Sequence, residues 1–210
     1  IIAIENKYGL KSWCGAPEDH SGIPYDGINN YIYSDVARTF SKKQLERLIK
    51  SVGFNNAYFY YPLPDYKMPL VVYSEEYLPK NGSIDNWIPY YEPNGNSMVS
   101  DEEHIYGDLI DNDVFEFFAN SFMVECCAGN EDIGEIQYAV SSPFRNKECN
   151  MITVYSKSDG FYKIADSDSV NALKSTDNNH KMLDKRGLLV SETNIKGNVM
   201  YTKEITGTPL

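Results

Sequence analysis

Ser41 opens and Gly53 closes the segment that most constrains this fold, a helix whose start and stop are both encoded. Ser41 and Gln44 have capping-box spacing, which satisfies free N–H groups in the first turn. Leu45, Leu48, Ile49 and Val52 fall at i, i+3, i+4 and i+7 and make one apolar face. Gly53 stands where a left-handed residue ends a helix. Apolar runs flank the helix. Residues 1–5 (Ile-Ile-Ala-Ile-Glu) read as a buried parallel strand already in progress, as in a chain cut from a longer one. Residues 57–61 and 69–73 read as two strands, joined by the two-proline turn Pro62-Leu63-Pro64-Asp65-Tyr66-Lys67. The order strand, long loop, helix, strand, turn, strand predicts an α/β unit over residues 1–74.

The loop between the first strand and the helix runs from Lys7 to about Val36. It is rich in Gly, Pro, Asp and Asn, with Trp13, Tyr25, Tyr31 and Tyr33 interspersed. Loops this long inside a domain are usually functional, and this one suits a substrate-covering segment. Beyond it, residues 75–100 are loop-like and carry Pro79, Gly82, Pro89, Pro93 and Gly95, so the boundary between domains is placed there. Residues 75–135 are expected to form a linker and helical segment. In it, Ser100 and Glu103 make a second capping box, Ile105, Leu109 and Ile110 face inward, a short helix covers 113–120 and a strand follows at 121–126. Residues 136–210 are expected to form a smaller α+β domain. Its strands are at 136–140, 151–155 and 160–164, its helix at 169–185, and two weaker strands lie near Leu189 and Val199.

The charge balance bounds the partners. Thirty acidic residues against nineteen basic ones give −11, which repels phosphate backbones and makes nucleic acid a poor partner. No apolar run is long enough to span a bilayer, and the absence of a signal peptide and a cytoplasmic location are expected. Cys14, Cys126, Cys127 and Cys149 show no zinc spacing and are expected as reduced thiols, with no metal.

Three runs carry a resemblance. They are Ile2-Ala3-Ile4-Glu5-Asn6-Lys7-Tyr8-Gly9-Leu10-Lys11, then Arg38-Thr39-Phe40-Ser41 with Leu45, and Gly53-Phe54 followed by Tyr60-Tyr61-Pro62 and Pro64-Asp65-Tyr66. Together they resemble the C-terminal half of a class I S-adenosylmethionine-dependent methyltransferase module, found in bacterial proteins of lipopolysaccharide and surface polysaccharide biosynthesis. In that family the first run ends the fifth strand of a Rossmann-like sheet, the helix follows, and the last two strands form a hairpin beside it. The resemblance implies a parent enzyme that methylates a sugar or related glycan acceptor. Its cofactor lies on a glycine-rich turn in the first half of the sheet. No G-x-G motif occurs in these residues. S-adenosylmethionine is therefore expected to bind the parent, completed by the missing remainder of its chain, and not this chain alone. Residues 136–210 more weakly resemble a protein-kinase-like or aminoglycoside-kinase-like small lobe, with Lys163 as a possible nucleotide contact. That pattern lacks a glycine-rich loop, a helix glutamate to pair with Lys163, and the catalytic-loop motifs.

Methyl transfer to a hydroxyl releases a proton, and His20, with Asp19 beside it, is the general base expected from the long loop; the bland alternative is a surface histidine. Asn6 follows the first strand at the edge where open α/β sheets place ligands, and either binds substrate or caps a turn. Arg38 either holds an anionic substrate group or pairs with Asp19 or Asp35. Tyr25, with Trp13 and Tyr31, either stacks on a sugar face or anchors the loop. His104 and His180 are expected at the surface, and Phe115, Phe117, Phe118 and Phe122 in the core. The Asp101-Glu102-Glu103 run is expected only to favour a helix start. Two other classes compete: an interaction module of a polysaccharide-synthesis complex, and a degenerate kinase-like lobe.

Overall fold

A computed structural model describes residues 1–84, 98–141 and 144–204. Pro89, Pro93 and Gly95, cited for a boundary, lie outside the described residues. The chain is an α+β protein that divides into two compact units, Ile1–Gly134 and Glu135–Leu210.

In the first unit, β1 (Ile2–Glu5) is followed by the short helix α1 (Leu10–Trp13), the long loop, and α2 (Lys42–Ser51). Next come β2 (Asn56–Leu63), β3 (Val71–Ser74), the one-turn helices α3 (Tyr106–Asp111) and α4 (Phe115–Phe118), and β4 (Ser121–Cys127). The strand order is β1-β4-β2-β3, and every ladder in it is antiparallel. The expected hairpin of β2 and β3 forms. The expected parallel pairing of β1 does not: β4 lies between β1 and β2 and runs against both. The segment assigned to a linker thus contributes a central strand to the first sheet. Because β4 opposes both neighbours, β1 and β2 run parallel to each other, and α2 is the crossover between them. Pro62 lies beyond the β2–β4 ladder, which ends at Tyr60, so its missing N–H removes no bond to β4.

The capping box forms as expected, with Ser41 accepting from Gln44 N–H and Gln44 accepting from Ser41 N–H. The apolar face is narrower than its spacing suggested. Leu45 and Ile49 are buried, whereas Leu48 and Val52 remain exposed. Tyr61, Phe59, Phe122, Leu63, Val71 and Val124 fill the core of this unit. Phe115 joins them, but Phe117 is 49% exposed and corrects the expectation that the whole phenylalanine cluster is core. The second expected capping box also fails. Asp101, not Ser100, caps a short turn by accepting from Glu103 N–H, and the inward residues are Glu102 and Tyr106.

In the second unit, β5 (Ile136–Val140), β6 (Met151–Ser156), β7 (Gly160–Ala165), α5 (Val170–Lys185), β8 (Thr193–Lys196) and β9 (Val199–Thr202) follow in chain order. The sheet order is β5-β6-β7-β9-β8, antiparallel throughout its described ladders. Ala165, Leu173 and Met200 form its core, with Met151, Val170 and Ile195 packed around them. The strand expected near Leu189 begins instead at Thr193, and Leu189 is exposed. Among the described residues no helix is long and apolar enough to cross a membrane.

Candidate functional site

The C-terminal ends of β1 and β2 meet beside the start of β4, and charged side chains converge there. Gly9 is needed for this closure, because a Cβ on it would lie 2.9 Å from the Asn120 Cα. Two asparagines then stitch the loops together. Asn6 Nδ2 donates to the Phe117 and Ala119 carbonyls, both at 2.8 Å, while its Oδ1 accepts from Tyr8 N–H at 3.0 Å. Asn120 Oδ1 accepts from Lys11 N–H at 2.9 Å, and its Nδ2 donates to Glu102 Oε2 at 2.7 Å. Both carboxamides are committed to holding the backbone. Asn6 therefore sits at the expected sheet edge with both amide hydrogens already engaged.

Between these clamps runs an ionic network that is buried at Glu5, Lys11 and Asp65 and reaches solvent at Lys67 and Asp19. Lys11 Nζ lies 2.8 Å from Glu5 Oε1 and 3.8 Å from Asp65 Oδ2. Lys67 Nζ lies 3.1 Å from Glu5 and is paired with Asp19. Burial disfavours the Lys67 ammonium, but hydrogen bonds to Asp19 and Glu5 outweigh it and raise its pKa. For Asp19 the same balance runs the other way: burial raises its pKa, yet hydrogen bonding with Lys67 and Glu5 holds it below the ordinary carboxylate value. Glu102 is raised, chiefly by burial, with the Asn120 bond opposing. Burial also pushes the Cys14 thiol up to about 11. All four cysteines are unpaired. The space beside the network is about 10 Å³, room for roughly one water. It is a structural lock more than an open reaction chamber.

The residues expected from sequence are dispersed around this lock. His20 is exposed; its backbone N–H is held by Glu18 Oε2 at 2.8 Å, and its imidazole makes no hydrogen bond among the described residues. Asp19 is engaged by Lys67 and does not orient His20. Arg38 is exposed and lies over the Tyr31 ring at 5.6 Å, with no ion pair among the described residues. Tyr25 is half-buried in a left-handed conformation, φ 64°, on the lining of the water-sized space. Tyr31 is a loop anchor: its hydroxyl lies 2.6 Å from Thr39 Oγ1 and accepts from Thr39 N–H at 2.8 Å. The long loop is thus packed down, with Cys14, Ala16, Asp26 and Tyr31 buried in it. Glu5, Lys11, Lys67, Glu102 and Asn120 were not read as a site, because nothing local in the sequence pairs them.

Two larger clefts are open. One, of about 440 Å³, lies beside the start of α2 and is lined by Tyr8, Lys42, Lys43, Glu116 and Phe117 among others. The other, of about 410 Å³, lies on the second unit and includes Thr153, Phe161, Lys163 and Thr202. Lys163 Nζ donates to Thr153 Oγ1 at 2.7 Å and has no carboxylate partner among the described residues. Burial lowers its pKa, and the neighbouring Arg145 charge adds to this. Asp177, the acidic residue in α5 nearest the helix middle, accepts from Lys181 and Thr193 instead. Among the described residues no group of three or more His, Cys, Asp or Glu is placed to hold a metal ion. Comparison of the chain with protein-family models, curated proteins and solved structures finds no match.

Proposed function

We propose that this chain is the C-terminal portion of a methyltransferase-like α/β enzyme, the part that presents the acceptor and lacks the cofactor-binding half. The observation that carries the proposal is the β1–α2–β2 crossover, with β4 antiparallel between two parallel strands. Parallel strands require a crossover of this kind, and ligands of open α/β sheets collect at strand C-terminal ends. The polar loop after β1 leaves from that end. Among the described residues β1 is paired on one side only. An apolar strand with a free edge can accept a further strand. In this reading S-adenosylmethionine supplies the methyl group in the parent protein, and the acceptor is a hydroxyl of a sugar or related glycan. That methyl would pass to the acceptor oxygen with S-adenosylhomocysteine as the leaving group, and this chain's part would be to align that oxygen and take up its proton. The base expected from sequence, His20, is exposed, and Asp19, engaged by Lys67, does not orient it. The test is methyl transfer from labelled S-adenosylmethionine by the parent protein, with calorimetry of this chain alone against S-adenosylhomocysteine. Transfer by the parent and no heat with this chain are expected. Micromolar binding by this chain sinks the division of labour, and an inert parent sinks the reading.

A second reading is favoured by the second unit. Its order of strand, strand, lysine-bearing strand, helix and two strands follows the nucleotide-binding small lobe that residues 136–210 resemble, and Lys163 lines the open 410 Å³ cleft, though without the carboxylate partner that lobe has. Lys163→Met is expected to abolish any shift caused by ADP while leaving stability equal or higher, since it deletes a half-buried cation without a counter-charge. Equal ADP shifts in both proteins sink this reading.

A further inference from the structure

Phe117 is left half in solvent while Phe115 and Phe122 beside it are buried. Its ring lies parallel to that of Tyr8, with centroids 5.2 Å apart and planes inclined by 13°. Phe118 props it edge-on at 4.9 Å. The pair is also fixed from below, because the Phe117 carbonyl is one of the two held by Asn6. These rings line the 440 Å³ cleft at the end of β1, a volume within the range of small-molecule sites.

The polar groups at the cleft are of two kinds. Glu116 Oε1 accepts from Lys42 Nζ at 2.9 Å and from the Tyr61 hydroxyl. Its second oxygen has no partner among the described residues. Lys43 is exposed and equally without one. The cleft therefore combines an apolar aromatic face, one free acceptor and one free cationic donor. A pyranose ring has the matching chemistry: a face of C–H groups that stacks on aromatic carbon, and a rim of hydroxyls that donate and accept.

We infer that this cleft binds a saccharide ring, packed against the exposed Phe117 ring that Tyr8 backs from its other face, donating a hydroxyl hydrogen bond to Glu116 and receiving one from Lys43. The inference deepens the methyl-transfer reading, on which it rests, by naming where the acceptor sits. It also moves the acceptor away from His20, which does not line the cleft.

The test is a titration of the isotopically labelled 210-residue chain with methyl α-glucopyranoside, methyl α-galactopyranoside and, separately, inorganic phosphate, followed by amide shifts. Millimolar glycoside binding is expected, with shifts at Tyr8, Lys43 and Phe117. Phe117→Ala removes a ring but not the carbonyl that Asn6 holds, and should weaken binding about three- to tenfold. Lys43→Ala, at an exposed position, should weaken it with an unchanged spectrum elsewhere. Absence of glycoside shifts, shifts with phosphate alone, or unchanged binding by both variants overturns the inference. Glycoside binding needs no methyl donor. Binding without methyl transfer by the parent therefore sinks only the enzyme reading, and transfer without binding sinks only this cleft.

Discussion

Lys11 shows at single-residue scale how the sheet edge is held. Its side chain is 5% exposed and its ammonium faces Glu5, itself 9% exposed. Removing one partner of a buried pair leaves a charge uncompensated and typically costs about 3–5 kcal/mol. Glu5 keeps Lys67, so Lys11→Met is expected at the lower end, about 3 kcal/mol by urea unfolding. Adding Glu5→Gln should recover part of that loss, because the two act as a unit; strictly additive losses would show that they do not. Asp26 gives a pH-dependent counterpart. The Ser34 hydroxyl holds its carboxyl below the ordinary aspartate value, with burial opposing. A depressed folded value favours the native state above the unfolded value and loses that contribution as pH falls through the folded one. Unfolding midpoints measured from pH 7 down to pH 3 should therefore fall more steeply in the native chain than in Asp26→Asn. Parallel curves would remove Asp26 from the acid response.

At the scale of elements, α2 was legible because its information is local. A cap, a repeat and a terminal glycine all lie within thirteen residues. Ser41→Ala is expected to lower stability by about 1 kcal/mol, visible in the thermal melt; a change below a few tenths would mean that neighbouring groups satisfy the first turn without it. Ser100 carried the same spacing and failed, because Asp101 offers the closer carboxylate to Glu103 N–H. Spacing alone does not choose between two adjacent caps. The place of β4 was hidden for a different reason. Its apolar run announced a strand, but its partners β1 and β2 lie about 60 to 120 residues earlier, and no local pattern fixes such pairing. The candidate site divides the same way. Asn6 and the edge it occupies were readable from strand order. The network of Glu5, Lys11, Lys67 and Glu102 was not, since opposite charges scattered over a hundred residues read as solvated ones. Phe117 was misread because its neighbours in sequence are core residues, and a one-turn helix presents one of its rings outward.

Across the whole molecule, two compact units imply two cores of unequal strength. The first unit buries Tyr61, Phe59, Phe122, Leu63 and Val124 at 1% exposure or less. The second holds Ala165, Leu173 and Met200 at its centre, and a small unit buries a smaller fraction of its surface. The second should therefore unfold at the lower temperature. Leu173 and Phe122, each 0% exposed, identify the transitions. Leu173→Ala deletes packing in α5 and is expected to cost about 2–5 kcal/mol, while Phe122→Ala in β4 costs about 3–5 kcal/mol. In a calorimetric scan followed by near-ultraviolet dichroism, Leu173→Ala should lower only the first transition and Phe122→Ala only the second. The aromatic signal should belong mainly to the second, where the ring contacts among Phe59, Tyr61, Phe115 and Phe122 lie. A single transition lowered equally by both substitutions would show that the two units fold as one cooperative body, because a lesion confined to one core shifts the other only when their unfolding is coupled.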